Sequence, residues 1–174
     1  MPQPIILGKG WGELQLGASY PTVKDALGEP DEQEICYLDH DDWAGAGTYK
    51  NYCQDGFQIV IDSSEKIRGV RFFAPRDPSS SKFHTFLDFY TEQGIDPTTS
   101  IGKIHRICGT PLRQTHHGRA GGYIFEVLTY RGYDFWFEND RLISIGILPP
   151  RQTKLNDDAI EALAESWLKK LHSK

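Results

Sequence analysis

The chain has 174 residues, of which 39% are hydrophobic and 12% aromatic, enough apolar content to fill one core. Its mean hydropathy of -0.49 and its lack of a long apolar run exclude a membrane-spanning helix. The formal net charge of -5, with no basic run, disfavours nucleic-acid affinity, which relies on Lys and Arg to neutralise phosphates.

In chain order, the apolar stretch Ile5-Ile6-Leu7 is too short for a signal-peptide core and follows no basic segment. The first cysteine, Cys36, lies too far on for a lipoprotein anchor. A cytoplasmic protein is the expectation, unless an exported precursor has been trimmed. Ser19 to Leu27 carries apolar residues a helical turn apart and is followed by Gly28 and Pro30, which predicts a helix over 19–27. Ser100 to Cys108 repeats the pattern with Gly109 and Pro111, predicting a helix over 100–108. Val23 and Ile104 match at the same offset.

The strands repeat as well. Phe57-Gln58-Ile59-Val60-Ile61-Asp62 corresponds to Tyr133-Asp134-Phe135-Trp136-Phe137-Glu138, and both alternate as half-buried strands do. Ile67, Val70, Phe72 and Pro75 correspond to Leu142, Ile145, Ile147 and Pro150. Asp55-Gly56, Arg131-Gly132 and Asn139-Asp140 mark tight turns. The hairpins predicted are Tyr49–Cys53 with Phe57–Asp62, and Tyr123–Tyr130 with Tyr133–Glu138, completed by strands over 66–73 and 141–148. Two helices are predicted outside the repeat. One, capped by Ser79-Ser80-Ser81, carries Phe83, Phe86, Leu87 and Tyr90 and ends at Gly94. The other begins at Asn156 with Ile160, Leu163, Trp167, Leu168 and Leu171 on one face.

The fold expected is therefore α+β: two tandem helix-plus-antiparallel-meander units in one domain, forming a curved sheet with helices on one face. The first unit spans 1–75 with an N-terminal extension. A joining helix and the second unit span 76–150. A linker and C-terminal helix span 151–174.

The run Leu14-Gln15-Leu16-Gly17-Ala18-Ser19, then Val23, then Leu27-Gly28-Glu29-Pro30, resembles a pattern widespread in bacterial domains. The pattern occurs in a superfamily similar to the β-lactamase inhibitor protein and to the small lipoproteins of outer-membrane assembly. The resemblance covers about 14–75 and 97–150, and its motifs are structural. It implies a long sheet with an open concave face used for protein binding, as in immunity proteins of bacterial toxin systems. No inhibitor-loop motif maps onto this chain, so no residue role is carried over.

The residues themselves offer little chemistry. Cys36, Cys53 and Cys108 form no C-x-x-C pair and are expected as buried thiols; Cys36 and Cys53 could lie near each other on neighbouring strands. Asp39-His40-Asp41-Asp42-Trp43 fails as a calcium loop, because Ala44 and Lys50 stand where Gly and Glu are needed. It reads as a solvated or acidic docking loop. His116 and His117 alternate in direction, and His84 and His105 lack a ligand partner four residues on. The glycine-rich stretches 45–50 and 118–122 do not join a strand to a helix as phosphate loops do. No catalytic residue, cofactor or metal is assigned.

The partner surface expected is the sheet face away from the helices: Gln58, Val60, Arg71 and Phe73 from the first unit, and Asp134, Trp136 and Glu138 from the second. Asp39, Asp41, Asp42 and Trp43 stand at its rim. An outward Trp among charges suits a protein-binding hot spot. The function expected is protein binding, with a neutralised toxin as the partner class the resemblance implies. A second reading is a small-molecule binder or enzyme with a pocket between the units. A third is a homodimer that buries the Trp136 face. Neither membrane nor nucleic acid is expected as a partner.

Overall fold

A computed structural model describes residues 3–36, 47–75, 81–118 and 124–150 of the chain. Two short strands, β1 (Gly10–Trp11) and β2 (Leu14–Gln15), pair as a hairpin. Helix α1 (Tyr20–Leu27) follows, then strands β3 (Glu32–Cys36), β4 (Gly47–Tyr52), β5 (Phe57–Ile61) and β6 (Ile67–Phe73). Helix α2 (Ile101–Cys108) precedes β7 (Arg113–Gly118), β8 (Ile124–Tyr130), β9 (Tyr133–Glu138) and β10 (Arg141–Ile147). No helix among the described residues is long and apolar enough to cross a membrane.

The expected α+β class is corrected by this arrangement. Among the described residues the chain is mostly strand, with two eight-residue helices. Strands β3 to β10 form one antiparallel eight-stranded sheet, ordered β3-β4-β5-β6-β10-β9-β8-β7. The sheet is continuous through the antiparallel β6–β10 pair, in which Phe73 faces Ser144 and Arg71 faces Gly146. There are thus not two helix-on-sheet units but a single sheet. Both helices contribute to its one main core, through Tyr20 and Val23 of α1 and Ile104 of α2. Phe57, Ile59, Phe72, Phe135, Phe137 and Ile145 supply the sheet side of that core and are almost wholly buried.

Residues that match in sequence hold matching backbone positions. Gly28 and Gly109 have φ of 83° and 78°, a left-handed region costly for residues with a Cβ. Each donates its N–H to the carbonyl four residues back, Lys24 and His105. The Tyr52 hydroxyl donates to the Gly28 carbonyl at 3.1 Å, and the Tyr130 hydroxyl to the Gly109 carbonyl at 3.1 Å. Each helix end is thereby tied to the second strand of the run that follows it.

The joining helix expected over 81–94 does not form. Its amides bond to other segments: His84 N–H to Cys53 O, and Phe86 N–H to Phe73 O, each at 2.8 Å. Phe83 stacks on Phe73 with centroids 4.0 Å apart, whereas Phe86 packs on Phe57 and Phe72 in the core. The segment therefore wraps the end of the sheet at the β4–β5 turn, and Leu87 is left 97% exposed. The C-terminal helix expected from Asn156 lies outside the described residues. Cys53 is buried and Cys108 half-buried. Cys36 is not beside Cys53: it pairs with Gly47 at one end of β3–β4, and Cys53 follows Tyr52 at the other.

Candidate functional site

The register places one polar row across the face of the sheet opposite the helices. In the first run of strands, Glu32 faces Asn51, Asn51 faces Gln58, and Gln58 faces Arg71. Arg71 faces Gly146, which faces Asp134; beyond it come Thr129 and Arg113. Every strand from β3 to β10 contributes one residue. Gln58 Nε2 donates to Asn51 Oδ1 at 2.7 Å, and Asn51 Nδ2 donates to Glu34 at 3.1 Å. Lys82 closes that end, with Nζ 2.6 Å from Glu32 and 2.7 Å from Glu34. Its hydrogen bond and charge hold the Glu32 carboxyl below the ordinary carboxylate range.

The centre of the row sits where the two runs meet. Gly146 stands between Arg71 and Asp134, and a Cβ there would lie 2.4 Å from Asp134 Oδ1. The missing side chain is what lets the two charged groups meet, with Arg71 Nη2 at 3.3 Å from Asp134 Oδ2. Both are buried, at 5% and 3% exposure. The guanidinium also lies over the Trp136 ring, 4.5 Å from its centroid. A desolvated cation–aromatic contact of this kind contributes about 2 kcal/mol. The indole N–H of Trp136 is buried and has no hydrogen-bond partner among the described residues.

Of the residues expected on the partner surface, Gln58, Val60, Arg71, Phe73, Asp134, Trp136 and Glu138 all lie on this face. Their exposure differs from the expectation. Val60 is fully buried, clustered with Tyr49 and Leu148. Arg71 and Asp134 are buried against each other, so neither presents surface to a partner. Phe73 is half-buried under Phe83. Gln58, Trp136 and Glu138 remain half-exposed. Asp39, Asp41, Asp42 and Trp43 lie outside the described residues.

Sequence reasoning missed Asn51, Gly146 and Lys82. Gly146 reads as an ordinary strand glycine until the register sets it between two charges. Lys82 reads as a helix residue until the segment is seen to cross the sheet end.

Among the described residues, the remaining titratable groups form no convergent centre. Glu126 accepts from Gln114 Nε2 and lies 3.7 Å from His116 Nδ1, on the helix-side face at the β7–β8 edge. Burial pushes the thiols of Cys53 and Cys108 above the ordinary range, which disfavours a nucleophilic thiolate at neutral pH. No group of three His, Cys, Asp or Glu among the described residues is placed to hold a metal ion. A recess of about 410 Å³ opens between α1 and the β1–β2 hairpin, not between the two strand runs. Comparison with protein-family models, with curated proteins and with solved structures finds no match to this chain, so its chemistry is read from its own residues.

Proposed function

We propose that the protein is a binding module for another protein, which it engages through the sheet face opposite the helices. The observation that carries this reading is the Trp136 indole. It is half-exposed on a sheet face and packs its ring against the Arg71 guanidinium, 4.5 Å from the centroid. A large aromatic whose rotamer is already held loses little entropy on binding, the character of an interface anchor. Gln58 and Glu138 supply half-exposed polar groups on the same face. Arg71 and Asp134 act from beneath as the support of the anchor.

The partner class, a toxin that the protein neutralises in the bacterial cytoplasm, rests on the sequence resemblance alone. A pull-down from the native host, run with wild type and with Trp136→Ala and Glu138→Lys, tests the surface. The proposal expects one prey protein lost with both variants while their melting temperatures stay near wild type. Identical prey from all three would remove this face from consideration. Co-expression of the captured protein then tests neutralisation: growth arrest relieved by wild type but not by Trp136→Ala is the expected result.

A further inference from the structure

The recess beside α1 has a composition that the sheet face does not share. Its wall is apolar: Trp11, Leu14, Val23 and Leu27 line it, with Leu14 and Val23 at 1% and 4% exposure. Trp11 is fixed in place, packed edge-on against Phe86 at 5.3 Å and donating its indole N–H to the Gln3 carbonyl at 2.8 Å. Its polar hydrogen is therefore already used, and what remains for a ligand is the ring.

The charge at this recess has one sign. Glu13 and Asp88 line it, no Lys or Arg does, and neither carboxylate forms an ion pair among the described residues. Helix α1 ends here as well, with Ala26 and Leu27 in the wall. The one basic residue in its last turn, Lys24, is held by Glu29 at 2.6 Å. The recess is open to solvent on one side and has a volume of about 410 Å³. Apolar walls, an aromatic ring and a uniformly negative rim complement one chemistry: hydrocarbon carrying a positive charge.

We infer that this recess binds a small organic cation with an apolar body, an alkyl- or arylalkyl-ammonium. The hydrocarbon sits against Trp11 and Leu27, the part-exposed apolar residues of the wall, and the ammonium at the rim by Glu13 and Asp88. The site is separate from the Trp136 face and does not depend on it.

Calorimetric titration at low salt with three probes of one shape tests this: phenethylammonium, 2-phenylethanol and phenylacetate. Phenethylammonium is expected to bind about tenfold more tightly than the alcohol, a difference of about 1.4 kcal/mol, and phenylacetate not measurably. Glu13→Gln/Asp88→Asn removes the preference for the cation and leaves the alcohol unchanged. Ala26 is exposed, so Ala26→Trp fills the recess from outside the core and abolishes binding of both, with an unchanged melting temperature as control. Trp136→Ala binds as wild type does, which separates this site from the protein-binding face. The inference is overturned if phenylacetate binds as well as phenethylammonium, or if Ala26→Trp binds undiminished. It is equally overturned if no probe binds at up to about 10 mM.

Discussion

Arg71 Nη2 and Asp134 Oδ2 lie 3.3 Å apart although 63 residues separate them in the chain. The two belong to different strand runs and meet only because β6 and β10 pair across the middle of the sheet. Their buried contact ties the runs together on the face that also carries Trp136.

Removing one member should cost much more than removing both. Asp134→Ala leaves the buried guanidinium without its carboxylate and should destabilise by about 3–5 kcal/mol. Arg71→Met/Asp134→Leu replaces the pair by apolar groups and should be within about 2 kcal/mol of wild type. Urea denaturation of wild type, Arg71→Met, Asp134→Leu and the double variant, with Asp134→Ala alongside, checks this. Additive single-mutant losses would show that the two side chains are not coupled.

Gly146→Ala tests the same centre from the backbone side. The added methyl meets Asp134 Oδ1 at 2.4 Å and Arg71 Nη2 at 3.3 Å, so the pair must move. Overpacking of this kind costs about 1–3 kcal/mol. The shift should also release the guanidinium from Trp136, seen as a change in indole fluorescence at a temperature where the fold is intact. An unchanged spectrum would argue that Trp136 is positioned independently of Arg71.

Tyr52 and Tyr130 should respond to alkali together. Burial first, and for Tyr52 the Tyr20 hydroxyl next, raise their phenols; Tyr130 is pushed up to about 12 and Tyr52 higher still. A raised phenol in the folded state means the proton is held more tightly there than in the unfolded chain. Its contribution is fully present below the unfolded value of 10.0 and is lost as pH climbs toward 12. Tyr52→Phe and Tyr130→Phe should each lose about 0.5–1.5 kcal/mol at neutral pH, the value of one hydrogen bond to a helix-end carbonyl. Each should then lose less than wild type between pH 10 and 12. Urea midpoints across that range, with phenolate absorbance followed in parallel, decide it.

Gly28 and Gly56 both have positive φ, 83° and 77°, yet should tolerate alanine very differently. Nothing lies within 4 Å of a Cβ on Gly28, so Gly28→Ala should cost only the backbone term of its φ 83°, ψ -168° conformation, about 1–3 kcal/mol. A Cβ on Gly56 would meet the His84 carbonyl at 2.4 Å and the Phe86 amide at 2.5 Å. Backbone cannot rotate away as a side chain can, so Gly56→Ala should cost clearly more and speed hydrogen exchange at the Phe86 amide. Equal melting temperatures for the two variants would contradict the wrapped path of residues 81–86.

Local signals carried far in this chain. A serine, a turn of apolar residues, a glycine and a following proline suffice to start and stop a short helix, so 19–27 and 100–108 were legible almost to the residue. Alternation of Phe57, Ile59 and Ile61, and of Phe135 and Phe137, sorted the helix-side face from the other because side chains on a strand alternate faces. What failed was Phe83, Phe86 and Leu87. Their helical spacing is real, but Phe83 and Phe86 pack on different faces of the sheet and the Phe86 amide bonds to Phe73. A periodic pattern states which residues are apolar, not whether one surface or two will receive them.

The candidate site divides in the same way. That Trp136, Glu138 and Gln58 share the face away from the helices follows from alternation within single strands. That Val60 is buried, that Arg71 and Asp134 neutralise each other, and that Gly146 makes room for them depends on register between strands far apart in the chain. The sequence alone determined the helix ends and the strand faces, because each is set by neighbours along the chain. Only the tertiary structure decided that the strands merge into a single sheet through β6 and β10. That pairing turns an arginine and an aspartate from expected contact residues into the buried support of a tryptophan.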